Sequence, residues 1–299
     1  MKINYTAILL TVLALVGLTL YRLLTPDAFI VLCSEKNKPE TMHWAKSTDG
    51  IKWNIISSAK PLVIADYDDV QNQQIIRVAR SRFMHYVTGK NKILSSKSDD
   101  LVHWERPLTV VENADAVLDF PGPFKFKILE NKKAGTELFY CNNALDNSGI
   151  YYTCTENSKL VEPIKIIHST VDIEDFQIFR LNGLYVLALM SVNGNREEVH
   201  IDFYTSAGAK NGWVLEDGTM TDSLEWLQTV GLQKNNKEFW LYGNQNGIIS
   251  VKLNGNGDGI TTEKITQKSL FPATYKIICG TAIQKDILKK AEKELKSRS

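Results

Sequence analysis

Acidic side chains recur in this chain just ahead of short β-type runs. Asp66, Asp68 and Asp69 precede residues 73–78, and Asp119 precedes 123–128. Glu174 and Asp175 precede 176–181, and Asp222 and Glu225 precede 226–230. Asp and Glu are ordinary residues in turns, so any one of these positions has a local explanation. Their repetition at one position in successive units asks for another. Carboxylates that converge in a concave site suit glycosidic bond cleavage. That reaction needs a protonated acid and a base or nucleophile, with neighbours that push their pKa values apart.

The elements that must bring these groups together are visible as a repeat. Ser47-Thr48-Asp49-Gly50-Ile51-Lys52-Trp53 returns 51 residues later as Ser98-Asp99-Asp100-Leu101-Val102-His103-Trp104. Weaker copies follow at 149–155, at 199–206 leading to Trp213, and at 247–253. Five units with a period near 50 residues read as a five-bladed β-propeller, in which no blade buries its faces alone. A β-sandwich with two similar hairpins is the competing reading. Inner strands are expected at 73–78, 123–128, 176–181 and 226–230, each followed by a second strand at 83–87, 137–141, 184–188 and 239–242. The first unit opens directly on its second strand, 29–33. The unassigned run 275–279 is therefore expected to close the ring beside it. Inner strands that share a direction would put all the carboxylates at one mouth of a central funnel.

With 299 residues and a formal net charge of +1, the chain is long enough for one large core and gives no charge argument for nucleic acid. Residues 5–24 form a hydrophobic segment in which 7–20 carry no charge, with Lys2 before that stretch and Arg22 after it; its length lies between a signal-peptide core and a spanning helix. No small-x-small site follows it. The expectation is a transmembrane anchor at 1–25 with an exported propeller at 26–283; secretion after cleavage is the alternative. A basic tail, 284–299, is expected to be a short, solvated amphipathic helix with Ile287, Leu288, Ala291 and Leu295 near one face.

The four cysteines, Cys33, Cys141, Cys154 and Cys279, lack Cys-x-x-Cys spacing, and the five His form no metal motif, so neither zinc nor any other cofactor is expected. A hairpin centred on Asn147 and Ser148 would put Cys141 opposite Cys154. Ring closure would bring Cys33 towards Cys279, within disulfide reach. Buried free thiols are the other reading for these residues.

The Ser-x-Asp-Gly-x-x-Trp and Ser-x-Asp-Leu-x-x-Trp phrases resemble the blade signature of the five-bladed glycosidases, the arabinanase and β-xylosidase group with invertase and levansucrase as relatives. The segment from Asp172 to Tyr185 resembles their general-acid segment, which casts Glu174 as the acid. The segment Leu118 to Phe124 resembles the one whose Asp tunes the acid and orients the sugar, which casts Asp119 in that role. The likeness spans most of 29–282. The family carries its base at the start of the first blade's inner strand; here only Asp27 is near, and Asp175-Phe176 stands where Gly-Pro commonly follows the acid. The resemblance thus implies either a base taken from Asp66, Asp68 or Asp69, or a glycan-binding propeller that has lost hydrolysis. Its expected partners are a carbohydrate and a membrane. Arg77, Arg180, Tyr67, Trp226 and Glu225 are the expected substrate contacts, and the oligomeric state stays open.

Overall fold

The computed structural model describes residues 9–14, 16–17, 28–56, 72–79, 82–89, 92–112, 125–131, 135–143, 148–156, 159–192, 198–216, 220–222, 229–243, 247–265, 271–272 and 275–298. Their strands form five antiparallel sheets arranged as the blades of a propeller. The first blade is β1 (Ala28–Glu35), β2 (Lys38–Ser47) and β3 (Asn54–Ile55). The second is β4 (Asn72–Ala79), β5 (Arg82–Gly89), β6 (Lys92–Ser98) and β7 (Leu108–Glu112). The third is β8 (Phe126–Asn131), β9 (Gly135–Asn142) and β10 (Gly149–Glu156), with β11 (Lys159–Leu160) and β12 (Ile164–His168) sharing the outer edge. The fourth is β13 (Ile173–Leu181), β14 (Leu184–Val192) and β15 (Val199–Ser206), edged by β16 (Val214–Leu215) and β17 (Met220–Asp222). The fifth is β18 (Val230–Asn235), β19 (Glu238–Tyr242), β20 (Ile248–Leu253) and β21 (Ile260–Lys264).

The far end of the chain closes the ring. β22 (Tyr275–Ile283) pairs antiparallel with β1 from Ala28↔Ile283 to Glu35↔Tyr275 and becomes the first blade's inner strand. Closure removes a strand edge and an unburied blade face together. The fifth inner strand runs from Val230 to Asn235, against the expected 226–230, of which 226–228 lie outside the described residues.

The core is five apolar clusters, one between each pair of neighbouring blades. Strand alternation builds them, because successive side chains point to opposite faces. In β1, Phe29, Val31 and Cys33 face the fifth blade with Trp53, Trp240 and Tyr242. Ile30 and Leu32 face the second with Trp44, Ile75 and Phe83. Cys279 pairs with Leu32, next to Cys33 in the register, but the two cysteines sit in different clusters and are free thiols rather than a disulfide. The third-blade hairpin pairs Cys141 with Ile150 and Cys154 with Glu137. Its strands end at Asn142 and begin at Gly149, a longer connection than a two-residue turn, so these two cysteines are not partners and are also free. Burial pushes the thiols of Cys33 and Cys279 up to about 12 and that of Cys141 to about 11, so they stay protonated and inert.

The repeated phrase is a hydrogen-bonded turn. The Asp49 carboxylate accepts from the amides of Ile51 and Lys52, both at 2.8 Å, and the Ser47 hydroxyl accepts from the amide of Gly50 at 2.8 Å. Asp100 and Ser98 repeat the pattern on Val102, His103 and Leu101. Burial raises the Asp49 carboxyl, but the amides and the Ser47 hydroxyl outweigh it and hold its pKa below the usual value. The turn needs one left-handed residue: Gly50 at φ 75° in the first copy and Leu101 at φ 66° in the second. Leu101 takes that conformation with its side chain buried at the interface of blades one and two.

Helix α1 (Lys285–Arg298) is not solvated as expected but docks on the ring. Ile287, Leu288, Ala291 and Leu295 are buried, and three of them join the cluster between blades one and two. Glu292 pairs with Lys46, and Glu294 lies 3.9 Å from His103. The helix thus covers the seam between the first two blades.

Near the N-terminus, residues 9–14 and 16–17 are helical. Among the described residues no helix is long and apolar enough to cross a membrane, so the expected transmembrane helix is unsupported.

Candidate functional site

The inner strands β4, β8, β13, β18 and β22 surround a central channel of about 1150 Å³. Each inner strand has one unpaired edge, whose backbone groups need partners. Glutamines supply them. Gln74 donates to the carbonyl of Ile128 (3.1 Å) and accepts from its amide (2.7 Å), joining blades two and three. Gln177 donates to the carbonyl of Thr229 (2.9 Å) and Gln233 to that of Arg180 (3.2 Å), joining blades four and five.

Glu174 stands at the start of β13. Ile173 pairs with Ser191 and Asp175 with Met190, which leaves Glu174 as the extra residue of a β-bulge. A bulge re-aims side chains at a sheet margin. Glu174 is half-buried there. Its neighbour Asp175 is committed to the scaffold: one carboxylate oxygen accepts from the amide of Phe176 (2.8 Å), the other from the amide (3.0 Å) and hydroxyl (3.3 Å) of Thr229. Burial lowers the pKa of Lys276 on β22, against the opposing pull of Asp175.

Of the other expected site residues, Arg77 and Arg180 line the channel. Arg77 is half-buried, and its Nη1 is buried without a hydrogen-bond partner among the described residues. Arg180 is exposed and stacks over the Tyr185 ring at 4.9 Å. Asp66, Tyr67, Asp68, Asp69, Asp119, Glu225 and Trp226 lie outside the described residues. Asp222 ends the outer strand β17, in register with Val199, and is not at an inner strand. Sequence reading missed the glutamine clamps and the channel lysines Lys127, Lys237 and Lys252. The signal for the clamps was present: Gln73-Gln74 and Gln177 recur within the inner strands.

The described backbone resembles solved structures across most of its length. An α-L-arabinofuranosidase catalytic domain of family GH62 from Coprinopsis cinerea matches with a TM-score of 0.51 at 12% identity, covering 79% of this chain and 86% of that one. An endo-1,4-β-xylanase from Bacteroides thetaiotaomicron matches with a TM-score of 0.53 at 11% identity, covering 85% and 93%. The chain has the fold of the five-bladed propeller glycosidases. At this identity the likeness concerns the fold alone. No protein-family model and no curated protein sequence matches the chain.

Within this fold, the channel's two ends differ in what the described residues contribute. Gln177 and Thr229 line the end where inner strands begin, and Glu174 and Asp175 stand at the start of β13 beside it, outside the channel lining. Asn182, Asn235, Asn236 and Lys237 belong to the turns where they end. Among the described residues no three His, Cys, Asp or Glu side chains gather as a metal site.

Proposed function

We propose that the chain is a glycan-processing hydrolase whose site lies at the channel mouth where the inner strands begin. Glu174 protonates the leaving oxygen, one of Asp66, Asp68 and Asp69 activates water, and Asp119 tunes Glu174 and orients the sugar. The observation that carries this reading is the placement of Glu174 on a bulge at the start of an inner strand, in a fold shared with an arabinofuranosidase and a xylanase. A screen of chromogenic glycosides and a glycan array against the full chain, with Glu174→Gln as control, tests it. Turnover lost in the variant supports the acid role, and unchanged turnover removes Glu174 from the mechanism.

One observation favours a second reading, a non-catalytic glycan-binding propeller. The first blade's inner strand is β22, and no Asp or Glu occurs from Ile265 to Thr274, the ten residues ahead of it. The position at which the resembled family carries its base is thus vacant of carboxylate in the sequence. Glycan binding without turnover in the same screen selects this reading.

Attachment to a membrane through the hydrophobic segment 5–24 is part of the proposal. Leu9, Leu10, Val12, Leu13 and Val16 are each at least half exposed, an apolar surface that a bilayer would cover.

A further inference from the structure

We propose that the central channel takes a carboxylated sugar, whose carboxylate is held by Arg77. This rests on the glycan reading above and narrows its substrate class to uronate-bearing glycans, with the carboxylated sugar towards the end of the channel away from Glu174.

The charge of the lining is the first observation. Among the described residues, Arg77, Lys127, Arg180, Lys237 and Lys252 line the channel against two carboxylates, Glu130 and Glu238. Both carboxylates are already committed. Glu238 accepts from the Trp240 indole (2.6 Å) and the Ser250 hydroxyl (2.9 Å) and pairs with Lys234 at 3.5 Å. Glu130 accepts from the hydroxyls of Tyr86 and Thr136. Among the cations, Lys252 pairs outward with Glu263 at 3.5 Å and Arg180 lies over Tyr185. Arg77 and Lys127 face the channel with no ion pair among the described residues, from the neighbouring strands β4 and β8.

The second observation is the state of Arg77. Its Nη1 is buried and has no hydrogen-bond partner among the described residues. Burial lowers its pKa, yet a guanidinium keeps its charge at neutral pH. A guanidinium nitrogen buried without a partner is costly, and a carboxylate that docks on the guanidinium fork offsets that cost with charge-assisted hydrogen bonds. A neutral sugar brings hydroxyls but no anion. The asparagines Asn182, Asn235 and Asn236 and the aliphatic faces of Ile76, Val78 and Val230 offer a ring both hydrogen bonds and apolar contact.

Calorimetric titration of the full detergent-solubilised chain with sodium glucuronate, sodium galacturonate, glucose, xylose and sodium sulfate tests the proposal. A uronate should bind at least about tenfold more tightly than the neutral sugars, and more weakly at high salt. Arg77→Gln should lower uronate affinity by about tenfold or more and lower neutral-sugar affinity by less. Lys127→Gln, on the neighbouring strand, gives a second variant should Arg77→Gln fail to fold, and a severalfold loss of uronate affinity is expected from it. Uronates that bind no better than glucose overturn the proposal, while turnover or binding of a neutral glycan in that case leaves the glycan reading standing. Sulfate binding as tightly as uronate, with no gain from a sugar ring, overturns the proposal in favour of an unspecific anion site, while the glycoside screen decides the glycan reading separately.

Discussion

Gln74 holds Ile128 by both of its backbone groups, donating to the carbonyl at 3.1 Å and accepting from the amide at 2.7 Å. The two residues are 54 apart in sequence and belong to different blades. One side chain thus completes the edge of a neighbouring inner strand. Gln74→Ala strands a half-buried amide and carbonyl. The expected loss is about 1–3 kcal/mol of stability for the unpaired groups, read by denaturant unfolding. Gln74→Glu, which can accept but not donate when ionised, should recover only part of it.

Gly50 should tolerate no side chain. Its φ of 75° is left-handed, and a Cβ there would stand 2.5 Å from Cζ3 of Trp240 in the fifth blade. Gly50→Ala is expected to cost about 1–2 kcal/mol for the conformation and about 1–3 kcal/mol for overpacking. Thermal melting of the variant beside the parent measures the sum. A melting temperature within about one degree of the parent would refute the packing argument.

His85 sets a pH dependence. Burial holds its pKa down at about 3, against 6.5 for the free side chain, while its Nε2 lies 2.9 Å from the Gln73 side-chain oxygen. Between those values the unfolded chain binds a proton that the folded chain does not. Stability is therefore complete above the free value and falls as the pH drops from about 6.5 towards 3, by up to about 1.4 kcal/mol per pH unit from this group. Carboxylates held low in the fold, such as Glu238, add to the loss at the acid end. A His85→Gln variant should show a flatter profile between pH 6.5 and 5, where the carboxylates contribute little.

Glu174→Gln should remove turnover of any glycoside that the parent cleaves, by about 100-fold or more, while leaving glycan affinity within a few fold. The amide keeps the shape of the side chain and cannot donate the proton. Parallel measurement of kcat and of binding by calorimetry separates the two effects.

Fractionation of cells that express the full chain should leave it with the membrane, with residues 5–24 retained. N-terminal sequencing of the mature protein checks this. A soluble product that begins near Asp27 or Ala28 would mean that the run is a cleaved signal.

The sequence by itself determined the blades. Alternation along Phe29-Ile30-Val31-Leu32-Cys33 already puts apolar groups on both faces, which only a strand buried between two neighbours can use. The spacing of Ser47, Asp49 and Trp53, repeated at Ser98, Asp100 and Trp104, marks the turn and its period. The lone second strand at the start of the ring called for a closing strand, and β22 is that strand. These are local patterns, set by a period of two and by turn chemistry, and they survive without knowledge of partners. The tertiary structure alone decided the rest. Cys141 meets Ile150 rather than Cys154, because register depends on where both strands stop. Helix α1 docks over the seam of blades one and two, because that seam exposes an apolar groove formed by residues far from it in sequence. Gln74, Gln177 and Gln233 become clamps only when the ring brings an unpaired edge opposite each of them. Arg77 is an expected substrate contact in the sequence, but that its Nη1 lies buried beside a channel without a partner among the described residues follows only from five strands of separate blades enclosing it.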